Sequence, residues 1–190
     1  STTVLTESAP NAEMIKFVFP ARDNMPKVAM PEVEVIWYDG GLKPERPAGL
    51  APGKDLNYQG GGVIFHGTKD TLICGCYGRE PYLLSGRNPE VPHVLREITL
   101  SHQQDWVRSC KEPYETRVKP ASDFSEAGPF TEMVLMGVLA VRLAALNIEL
   151  EWDGENMRFT NIPDDATIRT VIQDGFSIKD GHPTFKPVYT

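Results

Sequence analysis

The stretch Ser122–Leu146, SDFSEAGPFTEMVLMGVLAVRLAAL, reads with a helical period after a chain that until about residue 84 mostly alternates like strand, and that switch decides the fold class. Within it Phe130, Val134, Val138, Val141 and Ala145 fall on one helical face. Gly137, Ala140 and Ala144 form an adjacent stripe of small residues, which lets a helix lie close against a sheet. Ser122 or Ser125 can cap this helix, and Pro129 fits its first turn. Just upstream, Ser101 can cap a shorter helix running through Trp106, Val107 and Cys110.

Earlier in the chain the period is two. Ile15, Phe17 and Phe19 alternate with Lys16 and Val18, and Val33, Val35 and Trp37 with Glu34, Ile36 and Tyr38. The residues Pro20 to Pro26 read as a turn between these strands, and Asp39-Gly40-Gly41 ends the second. Residues 42–60 form a long loop rich in Pro and Gly. Val63–His66 and Thr71–Tyr77 make a hairpin around Gly67-Thr68-Lys69-Asp70, with Tyr82–Leu84 as a further short strand. Beyond the long helix, Ile148–Trp152 and Met157–Thr160 flank an Asp153-Gly154 turn. A short helix is expected at about 164–172, then a loosely ordered arm. Strands first and helices later predict α+β: a mostly antiparallel sheet with helices packed on one face. The expected division is one domain over residues 1–175 and a C-terminal arm over 176–190.

Composition narrows the function classes. The 190 residues carry a net charge of −7, and no run of Lys and Arg marks a nucleic-acid surface, so no nucleic-acid partner is expected. No uninterrupted apolar run reaches about 18 residues, so no membrane span is expected. The start, Ser1-Thr2-Thr3-Val4, lacks the pattern of a signal peptide and has no initiator Met, which suggests a processed or truncated chain. Compartment is left open, cytoplasmic or periplasmic. The three cysteines argue against a disulfide framework. Cys74 and Cys76 would share a strand face, which makes a joint metal site conceivable, but CxxC spacing is absent and small buried hydrophobes are the simpler reading.

Few residues carry chemistry. No GxGxxG opens a helix after a strand; Gly60-Gly61-Gly62 precedes a strand and offers no helix N-terminus to a pyrophosphate. P-loop, HExxH and GxSxG patterns are absent, and the scattered carboxylates define no acid–base pair. No residue is therefore assigned a catalytic, cofactor-binding or metal-binding role. The best substrate-binding candidates are Trp37, Tyr38 and Asp39, where an indole and a phenol beside a carboxylate can stack on a sugar and bind its hydroxyls. Arg46 in the long loop can bind a hydroxyl or carboxylate. His102, in the first turn of a helix, can orient a hydroxyl. Core packing for Trp37, a turn role for Asp39 and a capping role for His102 compete with these assignments.

An ordered set of segments resembles the C-terminal domain of the glucose–fructose oxidoreductase/inositol dehydrogenase (Gfo/Idh/MocA) family, in its bacterial subgroup. The set runs from Phe19-Pro20-Ala21-Arg22 through Trp37–Leu42 with Arg46-Pro47, Gly62–Phe65 with Gly67, and Leu72–Gly75. It continues with Ser101-His102, Trp106 and Cys110, then Ser122-Asp123-Phe124, Ala127-Gly128-Pro129, Thr131-Glu132 and Leu150–Met157. The resemblance implies a fold similar to the glyceraldehyde-3-phosphate dehydrogenase-like C-terminal domain, built on a large, mostly antiparallel open sheet. It also implies a missing N-terminal Rossmann domain that would bind NAD or NADP, a homo-oligomer formed through the sheet, and a sugar, cyclitol or related substrate. The family's Glu-Lys-Pro and DxxxH patterns do not occur in this chain. Its catalytic lysine and histidine therefore map onto no position, and the chain alone is expected to be inactive and to hold no cofactor. A non-catalytic carbohydrate-binding or dimerisation module is the alternative.

Overall fold

A computed structural model of the chain describes residues 1–2, 9–23, 31–54, 56, 60–162, 171–179 and 182–189. Its contacts gather into two units, Ser1–Lys43 with Leu100–Thr190, and Pro44–Thr99. The class is α+β, as the order of periods predicts, but the sheets are small and no large open sheet forms among the described residues. The strands pair in a two-stranded, a three-stranded and two further two-stranded sheets, all antiparallel. The physical reason lies in the connections. Alternation specifies that a strand forms and which side chains share a face, whereas joining hairpins into one sheet needs edge-to-edge pairing that no local pattern encodes.

In the first unit, β1 (Met14–Phe19) pairs with β2 (Val33–Tyr38), from Met14 opposite Tyr38 to Phe19 opposite Val33. Ile15, Phe17 and Phe19 are half-buried, while Met14, Lys16 and Val18 are exposed. Two helices follow, α1 (His102–Lys111) and α2 (Phe124–Arg142). Gly137 of α2 is buried, and a Cβ there would lie 3.1 Å from Phe17 Cζ and 3.3 Å from Ile15 Cδ1. Gly137 of the small-residue stripe thus lets α2 lie on the inner face of the ribbon, whereas Ala144 falls beyond the helix and is exposed. Phe130, Val134 and Val138, on the adjacent face expected to be packed, are exposed instead.

The ends of α2 also differ from expectation. Asp123 is the N-cap, its carboxylate accepting from the Ser125 backbone N–H and hydroxyl, so neither Ser122 nor Ser125 caps. Pro129 therefore stands inside the helix, where its ring lacks the N–H that would bond the Ser125 carbonyl. By length and composition α2 is long and apolar enough to cross a membrane, although polar residues interrupt its apolar run. Its contacts are those of a helix lying on a sheet: Gly137 meets Phe17, and Glu132 Oε1 accepts a 2.7 Å bond from Trp152 Nε1.

That indole begins β6 (Trp152–Asp153), which pairs with β7 (Arg158–Phe159), both shorter than the sequence suggests. The expected helix at 164–172 lies largely outside the described residues, but Val171 and Ile172 start a strand. This is β8 (Val171–Lys179), paired with β9 (His182–Tyr189) where a loose arm was expected. The pairing shifts register between Gln173 and Phe176, and the prolines of β9 are tolerated because a two-stranded sheet consists only of edges.

In the second unit β3 (Gly62–His66), β4 (Thr71–Gly75) and β5 (Tyr82–Leu83) form one sheet in that order. Ile64, Ile73 and Tyr82 stand in one cross-strand row and share a face. Ile73 and Cys74 are both buried, although they point to opposite faces of β4. The strand ends at Gly75, not Tyr77: Cys76–Gly78 is a turn of 3-10 helix with Tyr77 at φ 61. Cys74 and Cys76 therefore do not share a strand face.

Candidate functional site

The densest candidate, Trp37-Tyr38-Asp39, sits at the end of β2. Trp37 stands opposite Ile15 on the face that meets α2, yet keeps 56% of its surface exposed. Tyr38 stands opposite Met14 on the other face. Successive strand residues point to opposite sides, so the two rings cannot clasp a single sugar. Asp39 is occupied as a turn former: its Oδ1 accepts from the Gly40 N–H at 2.6 Å, and its carbonyl accepts from the Leu42 N–H at 3.2 Å. Gly40 has a φ of 64, and a Cβ there would meet the Asn11 carbonyl at 2.0 Å, so only glycine fits this turn.

His102 is the first residue of α1 and is exposed. The cap itself is made by its neighbours, with Ser101 Oγ accepting from Gln104 N and Gln104 Oε1 accepting from Ser101 N. Among the described residues no hydrogen bond joins Trp37, Tyr38, Asp39 or His102 to one another. Arg46 belongs to the other unit. Its guanidinium donates to the Lys54 carbonyl at 2.9 Å and to the Ala51 carbonyl at 2.5 Å, which closes the loop that carries it.

Polar side chains converge elsewhere. Asp105 of α1 is 2% exposed; it accepts from Arg108 Nε and Nη2 and, through its other oxygen, from the Ala121 N–H at 2.9 Å. Arg108 also reaches Glu112 and the Val118 carbonyl, and Glu112 accepts from the Val118 N–H. The bond to Arg108 holds the Glu112 carboxyl below its ordinary range. This network ties the loop between the helices back onto α1. Its i, i+3, i+7 spacing was visible in the sequence, although its loop partners were not.

The second unit has a counterpart. Asp70, at the β3–β4 turn, accepts from the Ser85 hydroxyl, from Arg87 Nε and Nη2, and from the Thr71 and Ser85 N–H groups. The Ser85 bond above all holds its carboxyl down at about 2. Ser85 and Arg87 are too distant in sequence for any local pattern to reveal the cluster. Both networks satisfy their own members and leave no reacting geometry. Among the described residues no group of three or more His, Cys, Asp or Glu could hold a metal ion.

Among the described residues a cleft of about 340 Å³ opens in the second unit, walled by Lys54, Leu56, Ile73, Cys74, Glu80 and Tyr82, among others. No protein-family model matches the chain, and no curated protein matches it at a significant level.

Proposed function

We propose that this chain is the substrate-side and oligomerisation portion of an NAD(P)-dependent oxidoreductase acting on a sugar, cyclitol or related hydroxyl compound, and that it is inactive alone. The ordered resemblance to the Gfo/Idh/MocA C-terminal domain suggests the class. The observation that carries the reading is the amount of apolar surface left open. Among the described residues the buried apolar side chains are few: Leu50, Ile73, Cys74 and Leu143, with Pro47 and Pro120. Phe124, Phe130, Val134, Leu135 and Val138 of α2 are all exposed, as are Met14, Val18 and Ile36 on the outer ribbon face. Exposed apolar side chains in this number are a mark of interfaces.

The outer ribbon face suits a second copy. Met14, Val18 and Ile36 surround a Lys16–Glu34 ion pair, and a two-fold axis would set each charge of one copy against its opposite in the other. The open α2 face suits a nucleotide-binding partner domain. The half-exposed Trp37 favours the second reading, a carbohydrate-binding module without redox chemistry. Calorimetry with NADH and light scattering on the pure chain test the proposal together. The expected result is no NADH binding and a dimer that Ile36→Glu reduces to a monomer. Micromolar NADH binding by the isolated chain would overturn the first part, and an unchanged mass of Ile36→Glu the second.

A further inference from the structure

We propose that the cleft of the Pro44–Thr99 unit binds a small aliphatic monocarboxylate, with the Lys54 ammonium and the Tyr82 hydroxyl as its donors. The inference does not rest on the oxidoreductase reading. Three observations converge on it. The Tyr82 hydroxyl is buried and has no hydrogen-bond partner, a condition native structures rarely leave uncompensated. The Lys54 Nζ lies 3.7 Å from the centroid of the same ring, and among the described residues it meets no carboxylate. The cleft volume, about 340 Å³, suits a small organic molecule and not an extended chain.

The walls define the ligand's chemistry. Tyr82 and Ile73 share one sheet face by their pairing, and Leu56 and Pro81 extend the apolar lining. A short hydrocarbon body fits there. A single ammonium, Lys54, matches a single carboxylate. Lys54 covers the Tyr82 ring, so binding swings the flexible lysine from the ring to the incoming carboxylate and gives the hydroxyl an acceptor. The ammonium exchanges a cation–π contact for a charge-assisted hydrogen bond, the stronger of the two.

Arg46 enters as a positioning residue. Its two bonds, to the Ala51 and Lys54 carbonyls, hold the backbone from which Lys54 reaches the cleft. The link that carries Glu80 is also strained: Tyr77 and Glu80 both hold positive φ, at 61 and 48, in the six residues between β4 and β5. Strain of this kind concentrates at ligand-binding segments.

The test is an NMR titration of the full chain with butyrate, butanamide and inorganic phosphate, following backbone amides of residues 71–83. Butyrate is expected to give saturable shifts there, and Lys54→Met, which keeps the apolar stem, is expected to weaken it about tenfold, as is Tyr82→Phe. Arg46→Lys, which keeps the charge but loses the fork, is expected to weaken it less. Butanamide, with the same body and no charge, and phosphate, with charge and no body, are expected to give no saturable shift. Absence of saturable butyrate shifts overturns the proposal. So does equal binding of butanamide or phosphate, or butyrate affinity unchanged in both Lys54→Met and Tyr82→Phe. Circular dichroism of each variant separates loss of binding from loss of fold.

Discussion

The two units solve the same local problem with the same device and differ in what surrounds it. In each, one aspartate gathers a loop: Asp105 holds the segment at Ala121 to α1, and Asp70 holds Ser85 and Arg87 to the β3–β4 turn. Asp105 sits on a helix, deeply buried, with Arg108 one turn away. Asp70 sits at a turn, with its Arg87 partner largely in solvent. The difference teaches that a carboxylate clasp draws its strength from burial more than from the number of its bonds. A desolvated partner is left as a costly orphan when the carboxylate is removed, while a partner largely in solvent, as Arg87 is, is readily hydrated.

The largest effect should come from breaking the buried clasp. Asp105→Ala removes the acceptor of Arg108 and of the Ala121 N–H, and is expected to cost about 3 kcal/mol in urea unfolding. A cost near zero would erase the contrast between the units. Next is the contact between helix and ribbon. Gly137→Leu drives a side chain into Phe17 and Ile15 and is expected to cost about 2 kcal/mol. Val134→Ser on the open face of the same helix is expected to stay within about 0.5 kcal/mol in the isolated monomer. Equal costs at the two positions would mean that the outer face is covered.

A smaller effect is expected at the α1 cap, where Ser101→Ala removes one half of the capping box at about 1 kcal/mol. The smallest concerns pH. The ordinary aspartate value is 3.8, and both Asp70 and Asp123 are held down at about 2. Their contribution is therefore complete above about pH 4 and is lost as pH falls through 2. Thermal melts of Asp70→Asn between pH 5 and 2 are expected to show a shallower decline than the parent chain. An identical decline would mean that the Ser85 and Arg87 bonds contribute nothing to stability.

The candidate site sharpens the same lesson. Trp37, Tyr38 and Asp39 are adjacent in sequence, and adjacency suggested one binding surface. Strand alternation sends the two rings to opposite faces, and the turn occupies the carboxylate. That outcome was available from the period-two pattern itself, once β2 was read through to Tyr38. The role of Arg46 was not available, because its partners are carbonyls of a loop whose closure has no side-chain signature. The Lys54–Tyr82 pair was equally hidden, since 28 positions separate a loop lysine from a strand tyrosine that only β-pairing brings beneath it.

The sequence by itself determined the strands β1 to β4 nearly to the residue, the Ser101 cap, the run of α2 and the side of that helix that meets a sheet. Each follows from local physics: side-chain period, a hydroxyl that satisfies orphan N–H groups, and glycine where backbones approach. Only the tertiary structure decided that the sheets stay small, that the Asp105 and Asp70 clasps exist, that β8 and β9 pair where an arm was expected, and that a cleft opens beside Tyr82. Those outcomes depend on which distant segments meet, and the free energy of such meetings lies in pairs of residues that no single stretch of chain contains.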